Sequence, residues 1–248
     1  MNAITGNSGS LTAQYHVVDA IDSIAGLTSK LNVSDIAFVI NGQTSEYQVS
    51  RLNKIEGNIC VGGIVGFSNE ESRLYIKNTT NNTPIFANQD IADTNNSYFS
   101  YAGGIIGMVG SKTVLENCSA DSLSMIASKG DYCGTICETN NGFLLNCSAS
   151  VIYSNARNYS AGLCGLNQNN AMIKNCSADK ASVIGQEMAG ALVAVNYGYI
   201  QNPSVNSITV VCAGAAGGVA AYNGESGIIL LVHNMDDINI SSTGDNVG

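Results

Sequence analysis

The sequence predicts an all-β fold: a parallel β-helix, or β-solenoid, of about six coils with ~28 residues each. Two recurring phrases and one spacing carry that prediction. A glycine phrase reads Val61-Gly62-Gly63-Ile64-Val65-Gly66 and returns at 102–107, 132–137, 160–165, 188–193 and 216–221. Its third position is always glycine: Gly63, Gly104, Gly134, Gly162, Gly190 and Gly218, at steps of 41, 30, 28, 28 and 28 residues. Between these phrases an apolar step ends in asparagine, at Leu115-Glu116-Asn117-Cys118, Leu145-Asn146-Cys147, Ile173-Lys174-Asn175-Cys176 and Ile200-Gln201-Asn202-Pro203. A fixed period in this range marks units that bury their apolar faces only against their neighbours.

The N-terminal residues 1–57 lie outside the repeat and are expected to form an α+β cap. From Gln14 to Leu31 the apolar residues Val17, Ala20, Ile21, Ile24, Leu27 and Leu31 keep a helical spacing. Asn41-Gly42 then joins two apolar runs, the strongest short signal for a β-hairpin. A first coil with free edges needs such a cover; the rival reading is one or two degenerate coils. Residues 58–240 form the solenoid. Each coil takes three strands: the glycine phrase, the apolar step, and a third run such as Ser182-Val183-Ile184. The long first step places an insertion loop near 79–97, in the polar stretch Thr79–Ser97. Residues 241–248 are expected to be a polar tail.

Each repeated residue has a local reason. Glycine permits tight bends and close backbone approach. Asparagine tolerates left-handed corners, and stacked amides hydrogen-bond to one another. Asn117, Asn146, Asn175 and Asn202 are therefore expected to form a ladder. Beside them Cys118, Cys147 and Cys176 stack ~4.8 Å apart. Parallel Cβ vectors are poor disulfide geometry, so these read as buried free thiols filling the core. Reduced thiols suit a cytosol or an anaerobic habitat.

Composition excludes several function classes. Charged residues are only 12%, and the net charge is −9 with no Lys/Arg cluster. That argues against nucleic acid and against an anionic membrane surface. No apolar run approaches the ~18 residues of a membrane span, so no membrane insertion is expected. The start, Met1-Asn2-Ala3-Ile4-Thr5-Gly6, lacks the basic and apolar regions of a signal peptide. The expectation is an intracellular chain or a piece of a longer one.

The order Gly-Gly-hydrophobic-hydrophobic-Gly, polar turn, Ile/Leu-x-Asn-Cys resembles the GLUG repeat of large bacterial surface and secreted proteins. Gly62–Gly66, Gly103–Gly107 and Gly162–Gly165 match best, with the Asn-Cys pairs as the second element. Cys137, Val193 and Ala221 replace the last glycine. The resemblance implies a right-handed β-helix in an adhesin-like, cell-surface or secreted setting, within a longer precursor; a cytoplasmic location stays open. It carries no catalytic residue.

The function expected is a non-enzymatic structural or adhesion module presenting loops to a host surface protein or glycan. The ligand contacts are expected at Tyr98, Phe99 and Tyr101. Two alternatives stand beside it: a polysaccharide-active β-helix, and a solenoid that self-associates end to end. For the first, the alignment stacks Asp121, Ser150, Asp179 and Asn206, and carboxylates ~5–9.5 Å apart can act as acid and base; a solvated corner explains the column equally well. Asp131 and Glu138 read as surface charges. His16 and His233 have no partner at metal spacing. Cys133 and Cys137 align with Gly103 and Gly107 as repeat substitutions, so no metal or other cofactor is expected. The glycine phrases lack the Lys-Ser/Thr ending of a phosphate loop.

Overall fold

The computed structural model describes residues 60–71, 73–87, 101–120, 131–150 and 153–244, with the separate strands Ile4–Thr5, Asp35–Ile40, Gln43–Gln48, Lys54–Gly57 and Met125–Ser128. It is an all-β solenoid of about 5 turns with ~29 residues per coil. Each coil contributes to five parallel ladders. Ladder 1 holds Cys60–Gly62, Tyr101–Gly103, Tyr132–Gly134, Tyr159–Ala161, Met188–Gly190 and Ala215–Gly217. Ladder 2 runs from Val65–Phe67 to Ala220–Asn223, and ladder 3 from Tyr75–Lys77 to Ile228–Leu230. Ladder 4 starts at Thr80–Asn81 and ladder 5 at Lys54–Gly57; the long strands Ser204–Cys212 and Asn234–Ser242 run through both.

Five strands per coil replace the expected three. The glycine phrase is itself a corner, with Gly103 ending one strand and Ile106 opening the next. A Cβ on Gly103 would lie 1.9 Å from the Ile106 carbonyl oxygen, and one on Gly107 would lie 3.1 Å from the Tyr101 oxygen. The outer faces of ladders 1 and 2 therefore close on each other as an elbow. The asparagine corner splits the rest of the coil in the same way, with Asn117 at φ 53° between ladders 3 and 4.

The glycine alignment needs a correction of one residue. Gly103 pairs with Gly134, Gly134 with Ala161, Ala161 with Gly190, and Gly190 with Gly217. Gly134 and Gly190 thus stand one place earlier than Gly63, Gly104, Gly162 and Gly218, and the six occupy two adjacent files. In ladder 1 the steps alternate, since Ala102, Cys133, Ser160, Ala189 and Ala216 are in register. The corners take up the odd residue, which a count from glycine to glycine cannot see. The same shift sets Cys133 on Ala102 and Cys137 on Ile106, rather than on Gly103 and Gly107.

The insertion is also displaced. Thr80–Asn81 and Ile85–Ala87 are regular strands of the first coil. Thirteen residues then separate Ala87 from Tyr101, where three separate Ser128 from Tyr132. The extra length is in 88–100, outside the described residues. At the other end the strand Asn234–Ser242 carries the solenoid two residues into the expected tail. In the N-terminal region the hairpin stands: Asp35–Ile40 pairs antiparallel with Gln43–Gln48 around Asn41-Gly42. The expected helix at 14–31 lies outside the described residues.

The core follows from alternation along each strand. Leu115, Leu144, Ile173 and Ile200 stack in ladder 3, and Ala120, Ala149, Ala178 and Val205 in ladder 4. All are buried, as are Ile105, Ile136, Leu163 and Leu192 at the glycine corner. The large residues of ladder 3 and the smaller ones of ladder 4 belong to one buried cluster.

Candidate functional site

The outer face of ladder 3 carries exposed aromatic side chains. Tyr75, Val114, Phe143, Met172, Tyr199 and Ile228 occupy one file on six successive rungs. Tyr75 is 57% exposed, Phe143 38% and Tyr199 41%. Aromatic rings therefore fall on every second rung, ~9.6 Å apart by the strand spacing, with aliphatic residues between. Two residues on, Lys77 and Glu116 pair at 3.2 Å, and the Tyr75 hydroxyl donates to Glu116.

A row of amides flanks this file. Asn78, Asn117, Asn146, Asn175 and Asn202 all have φ of 51–54°. Asn117 Nδ2 donates to Asn78 Oδ1 at 3.1 Å, Asn175 Nδ2 to Asn146 Oδ1 at 3.1 Å, and Asn202 Nδ2 to Asn175 Oδ1 at 2.9 Å. The expected row reaches one rung further, to Asn78, and its hydrogen bonds fall into two runs, Asn78–Asn117 and Asn146–Asn175–Asn202. Just inside it Cys118, Cys147 and Cys176 are buried and free, like the other five cysteines in being unbridged. Each thiol donates to the carbonyl two residues back: Glu116 at 3.5 Å, Leu145 at 3.5 Å and Lys174 at 3.3 Å. The Cys118 thiol is pushed up by its hydrogen bond to Cys147 and by burial. A second stacked pair, Cys137 and Cys164, has its sulfurs 3.6 Å apart.

Of the three expected ligand contacts, Tyr101 alone is among the described residues. Tyr98 and Phe99 lie outside the described residues. Tyr101 belongs to ladder 1, in register with Cys60, and its file continues through Tyr132 and Tyr159 in the elbow. Tyr132 and Tyr159 stack with ring centroids 4.4 Å apart. Burial, then the neighbouring carboxylates, push both Tyr101 and Tyr132 up to about 12.

Of the carboxylate column, Asp121 lies outside the described residues. Asp179 accepts from Asn206 Nδ2 at 3.0 Å and sits 3.7 Å from Lys180 Nζ. Its neighbour on the next rung is thus an amide. His233 is exposed beside Pro203, whose carbonyl it contacts through its backbone. Among the described residues no group of three His, Cys, Asp or Glu comes together as a metal site, and no helix is long and apolar enough to cross a membrane.

Two features escaped the sequence reading. Asn140, Asn167, Asn196 and Asn223 form a second amide ladder at the end of ladder 2. Their side chains donate in series at 2.9, 2.8 and 2.7 Å, and the first three residues are fully buried. Their spacing repeats with the coil, so the signal was present in what reads as a plain polar turn. The second is Glu138, expected on the surface and found completely buried. Register places it in the file of Gly66, Gly107 and Gly165. Burial, chiefly, raises its carboxyl from 4.5 to about 8; the Thr139 side chain pulls the other way and Asp131 adds to the rise.

No family model matches the chain, and no curated protein or solved structure is detectably similar to it.

Proposed function

We propose that this chain is a non-enzymatic binding rod, an adhesion module of a bacterial cell-surface or secreted protein, and that its ligand is an extended glycan laid along ladder 3. One observation carries the reading: exposed aromatic rings at Tyr75, Phe143 and Tyr199 on alternate rungs of a rigid face. The apolar C–H face of a pyranose stacks on an aromatic ring. In a β-linked chain with a two-fold twist, equivalent sugar faces recur once per disaccharide, a distance close to two rungs. The amides of Asn78 to Asn202 run beside the rings and offer donors and acceptors to hydroxyl groups. A rod that holds its contacts in fixed register loses little entropy on binding. The contact surface is then a strand face rather than the loop tip expected around Tyr98 and Phe99.

The test is calorimetric titration with cello- and chito-oligosaccharides of increasing length. Affinity should climb with each added disaccharide as a further ring is covered. Replacing Tyr75, Phe143 and Tyr199 together by alanine removes about 1 kcal/mol per ring, or roughly a hundredfold in affinity. Binding that ignores chain length, or that survives the triple replacement, overturns the reading.

A further inference from the structure

The elbow between ladders 1 and 2 holds a group that the glycan reading does not use. Glu138 is the one long side chain in a file of Gly66, Gly107 and Gly165. It is fully buried, and neither carboxyl oxygen meets a hydrogen-bond partner. Its charge acts on Cys60 and Tyr101 of the first two coils and on Tyr132 and Cys133 of its own. Glu138 is not among the groups that act on Tyr159, one coil further on. Its charge is thus felt across the first three coils.

We propose that Glu138 is a proton-operated latch, whose neutral carboxyl closes the elbow across the first three coils and whose ionisation loosens it. Groups facing the carboxyl are Cys60, Tyr101, Tyr132 and Cys133 from ladder 1, Cys137 from its own strand, and Asp131 at the preceding corner. None is a cation. Among the described residues only the Thr139 side chain favours the carboxylate, and burial outweighs it; Asp131 opposes it. An ionised Glu138 gains its solvation only by leaving, which separates Tyr101 and Tyr132 from the floor of the elbow.

The sign follows from linkage. The closed form holds its proton up to about pH 8, whereas an open, solvated carboxyl loses it near 4.5. Between those values each pH unit raises the open fraction about tenfold; below the lower one the latch is fully tight, and above the upper one the change levels off. The elbow is thus tight in acid and looser towards neutrality. Tyr101 is the first described residue after the insertion at 88–100, so the latch stands at the insertion's base.

Hydrogen exchange of the whole chain, normalised to the intrinsic rate at each pH, tests this. Between pH 5.5 and 7.5, protection of peptides covering 101–109 and 132–140 should fall about a hundredfold, while 182–196 stays level. In Glu138→Gln both regions should stay level. Glu138→Gly restores the residue found elsewhere in the file and serves as a second variant if the amide disturbs folding; it too should be level with pH. An unchanged pH profile in both variants, a flat wild-type profile, or an equal fall at 182–196 overturns the latch.

Discussion

Replacing Asn167 by alanine tests the buried amide ladder directly. Asn167 accepts from Asn140 Nδ2 at 2.9 Å and donates to Asn196 Oδ1 at 2.8 Å, with a longer contact to the Tyr199 carbonyl at 3.5 Å. The substitution removes two amide–amide bonds, each worth about 1 kcal/mol net. It also strands groups that have no water to turn to. Asn196 Oδ1 loses its donor, and Asn140 Nδ2 keeps only a 3.4 Å contact to the Met172 carbonyl. Stranding such groups adds about 1–3 kcal/mol, for a total of about 3–5 kcal/mol. At this chain length that corresponds to a fall in melting temperature of roughly 6–20 °C. Far-UV circular dichroism melts would measure it, and Asn175→Ala provides the comparison. Asn175 makes the same two ladder contacts, at 3.1 and 2.9 Å, but is exposed, so water replaces the lost partners. Its cost should be about 1 kcal/mol, mostly from φ at 53°. Equal losses at the two sites would refute the claim that desolvation, rather than the contact itself, sets the value of these ladders.

Two further outcomes are expected. All eight cysteines are free and only Cys60 is partly exposed, its thiol raised to about 11 by burial; a thiol reagent at neutral pH should therefore label one site at most in the native protein and eight after denaturation, and prompt native labelling of Cys118, Cys147 or Cys176 would contradict the buried ladder. Leu231 takes the asparagine corner of the last coil at φ 54° with 71% of its surface exposed, so Leu231→Asn should stabilise by about 1 kcal/mol, read as a higher melting temperature, and a lower one would count against the corner argument.

The repeat made the fold legible because it is written in residues whose conformational reasons are local. Asn117, Asn146 and Asn175 announce their corner since left-handed backbone disfavours most other side chains. The cysteines beside them were readable as thiols because stacking in register fixes their Cβ directions. The glycine files were misread by one place at Gly134 and Gly190. Both places of the corner suit glycine, for different reasons: a Cβ on Gly103 meets Ile106 oxygen at 1.9 Å, and one on Gly104 meets Thr135 oxygen at 2.2 Å. Spacing alone cannot say which place a single glycine fills. Glu138 was illegible because its burial depends on the elbow, which exists only once two ladders fold against each other. The aromatic row was legible in register but not in exposure. Val114, Phe143, Met172 and Tyr199 each stand three residues before an aligned asparagine, but nothing in the sequence says that this position faces outward.

Stacking also explains why so few residues are charged. A solenoid sets equivalent positions of successive coils ~4.8 Å apart, so a repeated carboxylate or ammonium would face its own kind at a cost of about 1 kcal/mol per contact even in water. An amide is self-complementary: it donates to the rung on one side and accepts from the other. The charged files among the described residues obey this constraint. Lys77 stands by Glu116, and Glu71 by Lys112 at 2.6 Å. Asn206 separates Asp179 from Asp236 on neighbouring rungs. Asn158 stands between Asp131, to which it donates at 2.9 Å, and Glu187, whose backbone it accepts. The pattern acid, amide, acid thus occurs twice, at two different corners. It gives one carboxylate of each set, Asp179 and Asp131, an amide hydrogen bond while keeping like charges two rungs apart. The low charge of the chain, the abundance of asparagine and serine, and the buried ladder at Asn140 to Asn223 are then consequences of one geometric fact: every side chain has a near-equivalent directly above and below it.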